Sequence, residues 1–167
     1  MPDLPARKNI RLEEYDYSQA GCYFVTMCVK GGHEMLGSVG ANCVRPVLSE
    51  MGAVAEGEIR ALSHIYDNVF VDKYVIMPNH IHAIIMIAND GRTQFAPTVS
   101  RIIKQFKGSV TKQIGFSIWQ KSFHDRIIRS EAEYQKIWQY IDQNPARWQD
   151  DCYYTKQPPP TPTGGHT

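Results

Sequence analysis

The chain has 167 residues, 43% hydrophobic and 21% charged, which suits one packed domain and excludes global disorder. No apolar run approaches the roughly 18 residues of a membrane span. The opening Met1-Pro2-Asp3-Leu4-Pro5-Ala6-Arg7-Lys8 has no apolar stretch after its charges, so no secretion signal is expected and the protein reads as cytoplasmic. The net charge of +1 gives by itself no support for nucleic-acid binding.

In chain order, residues 1–20 are polar with scattered prolines and read as a basic N-terminal arm carrying Arg7, Lys8 and Arg11. Tyr23 to Val29 is β-branched and aromatic, a strand that Gly31-Gly32 ends. Residues 33–47, with Gly37, Gly40 and Pro46, predict a short irregular or hairpin excursion. Leu48, Met51, Val54, Ala55, Ile59 and Leu62 recur at helical steps behind Ser49, a candidate N-cap; Gly52 and Gly57 weaken this helix. Val69–Met77 and His80–Ile87 are two strands around a Pro78-Asn79 break, the mark of an antiparallel pair. Thr98 to Ile114 predicts a second helix with Val99, Ile102, Ile103, Phe106 and Val110 on one face and lysines on the other. Ile118 to Ile128 reads as extended, and a third helix runs from Ser130 to about Asn144, where Pro145 stops it. The Pro/Gly-rich stretch 153–167 reads as a flexible tail.

The order β-α-β-β-α-β-α predicts an α+β fold over residues 21–152. It is a ferredoxin-like split βαβ layout: an antiparallel sheet with helices on one face, plus a C-terminal helix. Basic residues cluster from Val99 to Arg129, where Asp125 is the only acid, so a basic face or merely a solvated helix surface is expected there. Of the cysteines, Cys22, Cys28, Cys43 and Cys152, none forms a Cys-x-x-Cys pair, and Cys22 and Cys28 read as small packed thiols.

Two places have the residue types for chemistry. Strand alternation puts His80 and His82 on one face, where two imidazoles either hold a divalent cation or lie on a solvated surface. As metal ligands they need a third, oxygen-bearing partner, a set that suits Mg²⁺ or Mn²⁺ better than structural zinc. Tyr140 and Asn144 stand four residues apart on one helical face. Either both look at one metal, or Tyr140 packs at the core edge while Asn144 caps the helix. A tyrosine nucleophile is weak at its ordinary pKa near 10 and needs a neighbouring cation and an in-line phosphate.

Met77-Pro78-Asn79-His80-Ile81-His82 resembles the histidine–hydrophobic–histidine motif of the single-tyrosine transposases. Trp119-Gln120-Lys121-Ser122-Phe123-His124-Asp125-Arg126-Ile127-Ile128-Arg129 is similar to the block before their catalytic helix, with His124 where that family often has tyrosine. Tyr140-Ile141-Asp142-Gln143-Asn144-Pro145 resembles the nucleophile helix. Asn9-Ile10-Arg11-Leu12, Tyr15-Asp16-Tyr17 and Tyr23-Phe24-Val25-Thr26 are similar to the REP-associated tyrosine transposases. This resemblance, over roughly residues 7–152, implies Tyr140 as nucleophile and His80, His82 and Asn144 as ligands of Mg²⁺ or Mn²⁺. It implies cleavage of single-stranded or hairpin DNA from palindromic repeats through a 5′-phosphotyrosine, with strand transfer, by a monomer or homodimer near the nucleoid. Arg7, Lys8, Arg11, Arg101, Lys104 and Lys107 are the expected DNA contacts. Two alternatives stay open: an inactive hairpin-binding module, and a metal hydrolase. The hydrolase needs a general base near the metal, and no Asp or Glu lies within the histidine motif.

Overall fold

The structure, a computed structural model, describes residues 21–41, 43–88 and 97–154. The predicted arm, with Arg7, Lys8 and Arg11, and the tail beyond Tyr154 lie outside the described residues. The elements are β1 (Gly21–Cys28), β2 (Gly37–Ser38), β3 (Val47–Leu48), α1 (Glu50–Ile65), β4 (Val69–Met77), β5 (His80–Ile87), α2 (Val99–Ile114), β6 (His124–Ile128) and α3 (Glu131–Gln143). A 3-10 segment, Pro145–Asp150, follows α3 directly.

Each helix starts where a short hydroxyl side chain satisfies a free backbone amide. Ser49 Oγ accepts from Gly52 N at 3.1 Å, Thr98 Oγ1 from Arg101 N at 3.2 Å and Ser130 Oγ from Glu133 N at 3.2 Å. Gly115, left-handed at φ 96°, ends α2.

The main sheet has the order β4-β5-β1-β6 with every neighbouring pair antiparallel, as the split βαβ layout requires. The hairpin expected within 33–47 is β2 paired with β3. Alternation along β1 and β5 then builds two cores. Tyr23, Val25, Met27, Ile81, Ala83, Ile85 and Ile87 pack with Ala55, Ile59 and Leu62 of α1 and with Ile102, Ile103, Phe106 and Val110 of α2. On the opposite face, Phe24 and Ile84 pack with Ile137, Trp138 and Ile141 of α3 and with Trp148. The strand register shifts at Asp72 in β4, so the strand changes parity: Val69, Val71, Tyr74 and Ile76 join the first core, Val75 and Met77 the second.

The extended stretch predicted for 118–128 pairs as a strand only from His124. Before that the β1–β6 register breaks, and the segment stays beside the end of β1 through one bridge, Val29 with Trp119, Gln120 N to Cys28 O at 2.9 Å and Lys30 N to Ile118 O at 2.8 Å. Packing also continues past Cys152, since Tyr153 and Tyr154 lie against the second core. No helix among the described residues is long and apolar enough to cross a membrane.

Candidate active site

The second core gives way to polar groups at the β4–β5 turn. Alternation sends Ile81 toward α1 and α2 and aims His80 and His82 at the α3 side, where they are 0% and 2% exposed. Cross-strand pairing sets Thr26 of β1 beside His82 and Cys28 beside His80. Thr26 Oγ1 lies 2.7 Å from His82 Nδ1. Asn79, in the two-residue turn, donates from Nδ2 to Gly32 O at 3.1 Å and to Tyr153 O at 2.7 Å. Its amide nitrogen is thereby identified, so Asn79 Oδ1 is the acceptor for His80 Nδ1 at 2.8 Å. His80 therefore carries its proton on Nδ1, and its Nε2 lone pair points inward.

α3 brings the second half of the site. The Tyr140 hydroxyl, on a side chain 44% exposed, reaches His82 Nε2 at 3.4 Å. Asn144, one turn later, is buried and keeps helical backbone angles as the chain runs into the 3-10 segment. That segment delivers a residue absent from the sequence-based set: Asp151, whose carboxylate is 2% exposed and lies 3.8 Å from His80 Nε2. Asp151 Oδ2 accepts from Asn144 Nδ2 at 3.0 Å, and Oδ1 accepts from Tyr153 N at 2.9 Å. The bond to Asp151 fixes the Asn144 amide so that its Oδ1 is the free atom.

His80 Nε2 and Asn144 Oδ1 are both buried without a hydrogen-bond partner. Two buried lone pairs beside a buried carboxylate are costly unless a cation meets them. His80, His82 and Asp151 can hold a metal ion, their ligand atoms all lying within 4.8 Å of one another. The donors, two imidazole nitrogens with carboxylate and amide oxygens, suit a hard or borderline divalent cation. Burial pushes both histidines down to about 3 from the ordinary 6.5; Asn144 opposes the shift at His80, and at His82 the neighbouring imidazole adds to it while Asp151 opposes it. Both are thus neutral near pH 7, the form a metal requires. The Tyr140 phenol is raised above 10, first by burial and then by Asp151. Without added positive charge, it is a poor nucleophile.

A cleft of about 340 Å³ opens beside Tyr140, lined by Gln143, Asn144, Arg147, Asp150, Asp151 and Cys152. The predicted basic residues of α2 are not brought to this site. Arg101 and Lys104 are exposed on a helix across the sheet from the histidines. The Lys107 ammonium donates to Gln120 O at 2.9 Å and Ser122 O at 3.0 Å, and burial lowers it to about 8. It ties α2 to the segment before β6 and is not free for a phosphate.

No family model matches the chain. An uncharacterized protein of Haemophilus influenzae is 30% identical over 169 aligned positions, which cover 89% of this chain and 93% of that protein. Among solved structures, a REP-associated tyrosine transposase bound to a REP hairpin is similar with a TM-score of 0.63 and 21% identity, covering 82% of this chain and 74% of that one. At that identity the likeness is one of fold. The chain belongs to the family of the Haemophilus influenzae protein and carries the fold of the REP-associated tyrosine transposase.

Proposed function

We propose that the protein nicks single-stranded or hairpin DNA and transfers the strand, with Tyr140 as nucleophile beside a Mg²⁺ or Mn²⁺ site. One observation carries this reading: the Tyr140 hydroxyl reaches the same His82 that, with His80 and Asp151, forms the one such candidate metal group among the described residues. His80, His82 and Asp151 would hold the cation, and Asn144 would add its free amide oxygen. When bound, the cation supplies Lewis-acid polarisation of the scissile phosphate and a positive charge beside the phenol. Tyr140 forms the P–O bond as the phosphorus–O3′ bond breaks. The phenol loses its proton and the departing oxygen gains one, so the products are a 5′-phosphotyrosyl strand and a 3′-hydroxyl. The bond energy stays in the phosphotyrosine, and the 3′-hydroxyl of the same or another strand can reverse the step. Helix α3 holds the hydroxyl in place in advance, so that part of the barrier is met by positioning.

The solved relative's REP hairpin supports palindromic repeat DNA as substrate and, with it, a place at the nucleoid. Arg101 and Lys104 remain candidates for backbone contacts on the α2 side, as do Arg7, Lys8 and Arg11 of the arm. The hydrolytic alternative finds little in Asp151. Both of its oxygens already accept hydrogen bonds, and in this reading its carboxylate is engaged by the cation.

The test uses hairpin oligonucleotides with single-stranded flanks, labelled at the 3′ end so that the label stays with the 5′-phosphotyrosyl fragment. With Mn²⁺, the denatured protein is expected to carry the label, and Tyr140→Phe is expected to carry none while keeping its stability within about 1 kcal/mol. Cutting that persists in Tyr140→Phe would favour hydrolysis. Binding that persists without any cutting by the wild type would favour an inactive module.

A further inference from the structure

The geometry points to Arg147 as the binding residue for a phosphate of the DNA strand presented to Tyr140. This inference rests on the nicking reading and adds to it a second positive contact, independent of the metal. Gln143 and Asn144 stand three and four residues after Tyr140, and Arg147 three after Asn144, so the helical stripe that presents the nucleophile continues into the 3-10 segment. All four line the same cleft of about 340 Å³. Two halves of this stripe face different tasks. Asn144 turns inward and is buried against Asp151, whereas Arg147 is exposed. The backbone changes direction at Arg147, where φ is −109° and ψ is 20°, inside the segment that joins Asn144 to Asp151.

Charge makes the assignment sharper. The cleft is walled by two acids, Asp150 and Asp151, and Arg147 is the only cation among the described residues that line it. Asp151 is directed inward onto Asn144 and the Tyr153 amide. Asp150 is exposed and would repel a phosphate there. A cation in this cleft offsets the repulsion from Asp150 as a polyanion approaches Tyr140. Arg147 has no side-chain partner among the described residues, whose ion pairs engage Arg60, Lys73, His80 and Arg126 instead. Its planar fork suits two non-bridging oxygens of one phosphate, which a lysine ammonium meets only as a point charge.

The experiment measures binding in a Tyr140→Phe background without divalent metal, so that neither cutting nor the cation site contributes. The probe is a fluorescein-labelled DNA hairpin with a short single-stranded flank, together with a set in which one flank phosphate at a time is a neutral methylphosphonate. Arg147→Ala is expected to weaken binding about tenfold, the size of one charge-assisted bidentate contact. It is also expected to reduce the slope of log K against log salt by about 0.7, one single-strand phosphate. One methylphosphonate position should weaken the parent by a similar factor and leave Arg147→Ala unaffected. Arg147→Lys should restore the slope but only part of the affinity, and Asp150→Asn should tighten binding. Equal affinity and slope in Arg147→Ala overturn the proposal alone. A loss of affinity with an unchanged methylphosphonate profile also overturns it, because a merely structural role would give that result. Absence of any salt-dependent binding by the parent overturns it together with the nicking reading.

Discussion

Asn79 holds three parts of the molecule at one point: the Gly32 carbonyl after β1, the Tyr153 carbonyl beyond the 3-10 segment, and His80 Nδ1. In the sequence it reads as a turn residue after Pro78 that stands within the histidine motif, with no contact of its own assigned to it. Replacing it by alanine leaves buried groups without partners and frees the His80 ring to rotate. Asn79→Ala is expected to cost about 2–4 kcal/mol in urea unfolding and to weaken Mn²⁺ binding about 10- to 100-fold, read by Mn²⁺ titration under native conditions. Metal affinity equal to wild type would show that the imidazole is oriented by something else. That His80 shares a face with His82, and Tyr140 with Asn144, was legible because alternation and helical spacing are local properties; that the two pairs belong to one site came from the family resemblance, not from spacing. Thr26 and Asp151 were not legible. Thr26 reaches His82 only through the β1–β5 register, and Asp151 follows a 3-10 segment that has no period to read.

Helix α1 contains two glycines with opposite meanings. A Cβ on Gly52 would lie 1.9 Å from the Leu36 carbonyl oxygen, a backbone atom that cannot turn aside. At Gly57 nothing lies within 4 Å. Gly52→Ala is therefore expected to destabilise by at least 2 kcal/mol, whereas Gly57→Ala should stabilise by about 0.5–1 kcal/mol, both by thermal or urea unfolding. A stable Gly52→Ala would mean that the β2–β3 hairpin can lift away from α1. In the sequence the two positions look alike, because the close approach involves a residue outside the helix. The element bounds were more legible: β4 and β5 fall where their β-branched runs lie, and α1 starts at its predicted Ser49 cap. The stretch 118–123 looks equally extended, yet its pairing with β1 stops at Thr26 with His124 and resumes only at Val29 with Trp119, five residues on its side against three on the other. The position of α3 is set by contacts on the far face of the sheet. Lys73 Nζ meets Asp142 at 2.7 Å and sits 3.9 Å from the Trp138 ring centroid. Asp142 is about half exposed, so Lys73→Ala is expected to cost only about 1 kcal/mol, mostly through lost cover over Trp138.

For the whole molecule, the buried histidine pair makes stability depend on pH. Their folded values near 3 lie below the unfolded 6.5, so the unfolded chain binds more protons once the pH drops under 6.5. Stability is then full above about 6.5 and falls as the pH goes from 6.5 toward 3, by about 1.4 kcal/mol per pH unit for each histidine. Urea unfolding of the metal-free protein at pH 7.5, 6.0 and 5.0 checks this, and the His80→Gln/His82→Gln variant should show a flatter dependence. An equal slope in that variant would assign acid sensitivity to other groups. The site also gathers residues from far apart in the chain, from Thr26 through His80 and His82 to Tyr140 and Asp151. During synthesis, the ribosome releases the histidine strand long before the tyrosine helix and its carboxylate. A partly made chain thus holds the histidines but not the complete cluster; on the nicking reading proposed above, the genome meets a cutting centre only after the final stretch of the domain has emerged and closed over the sheet.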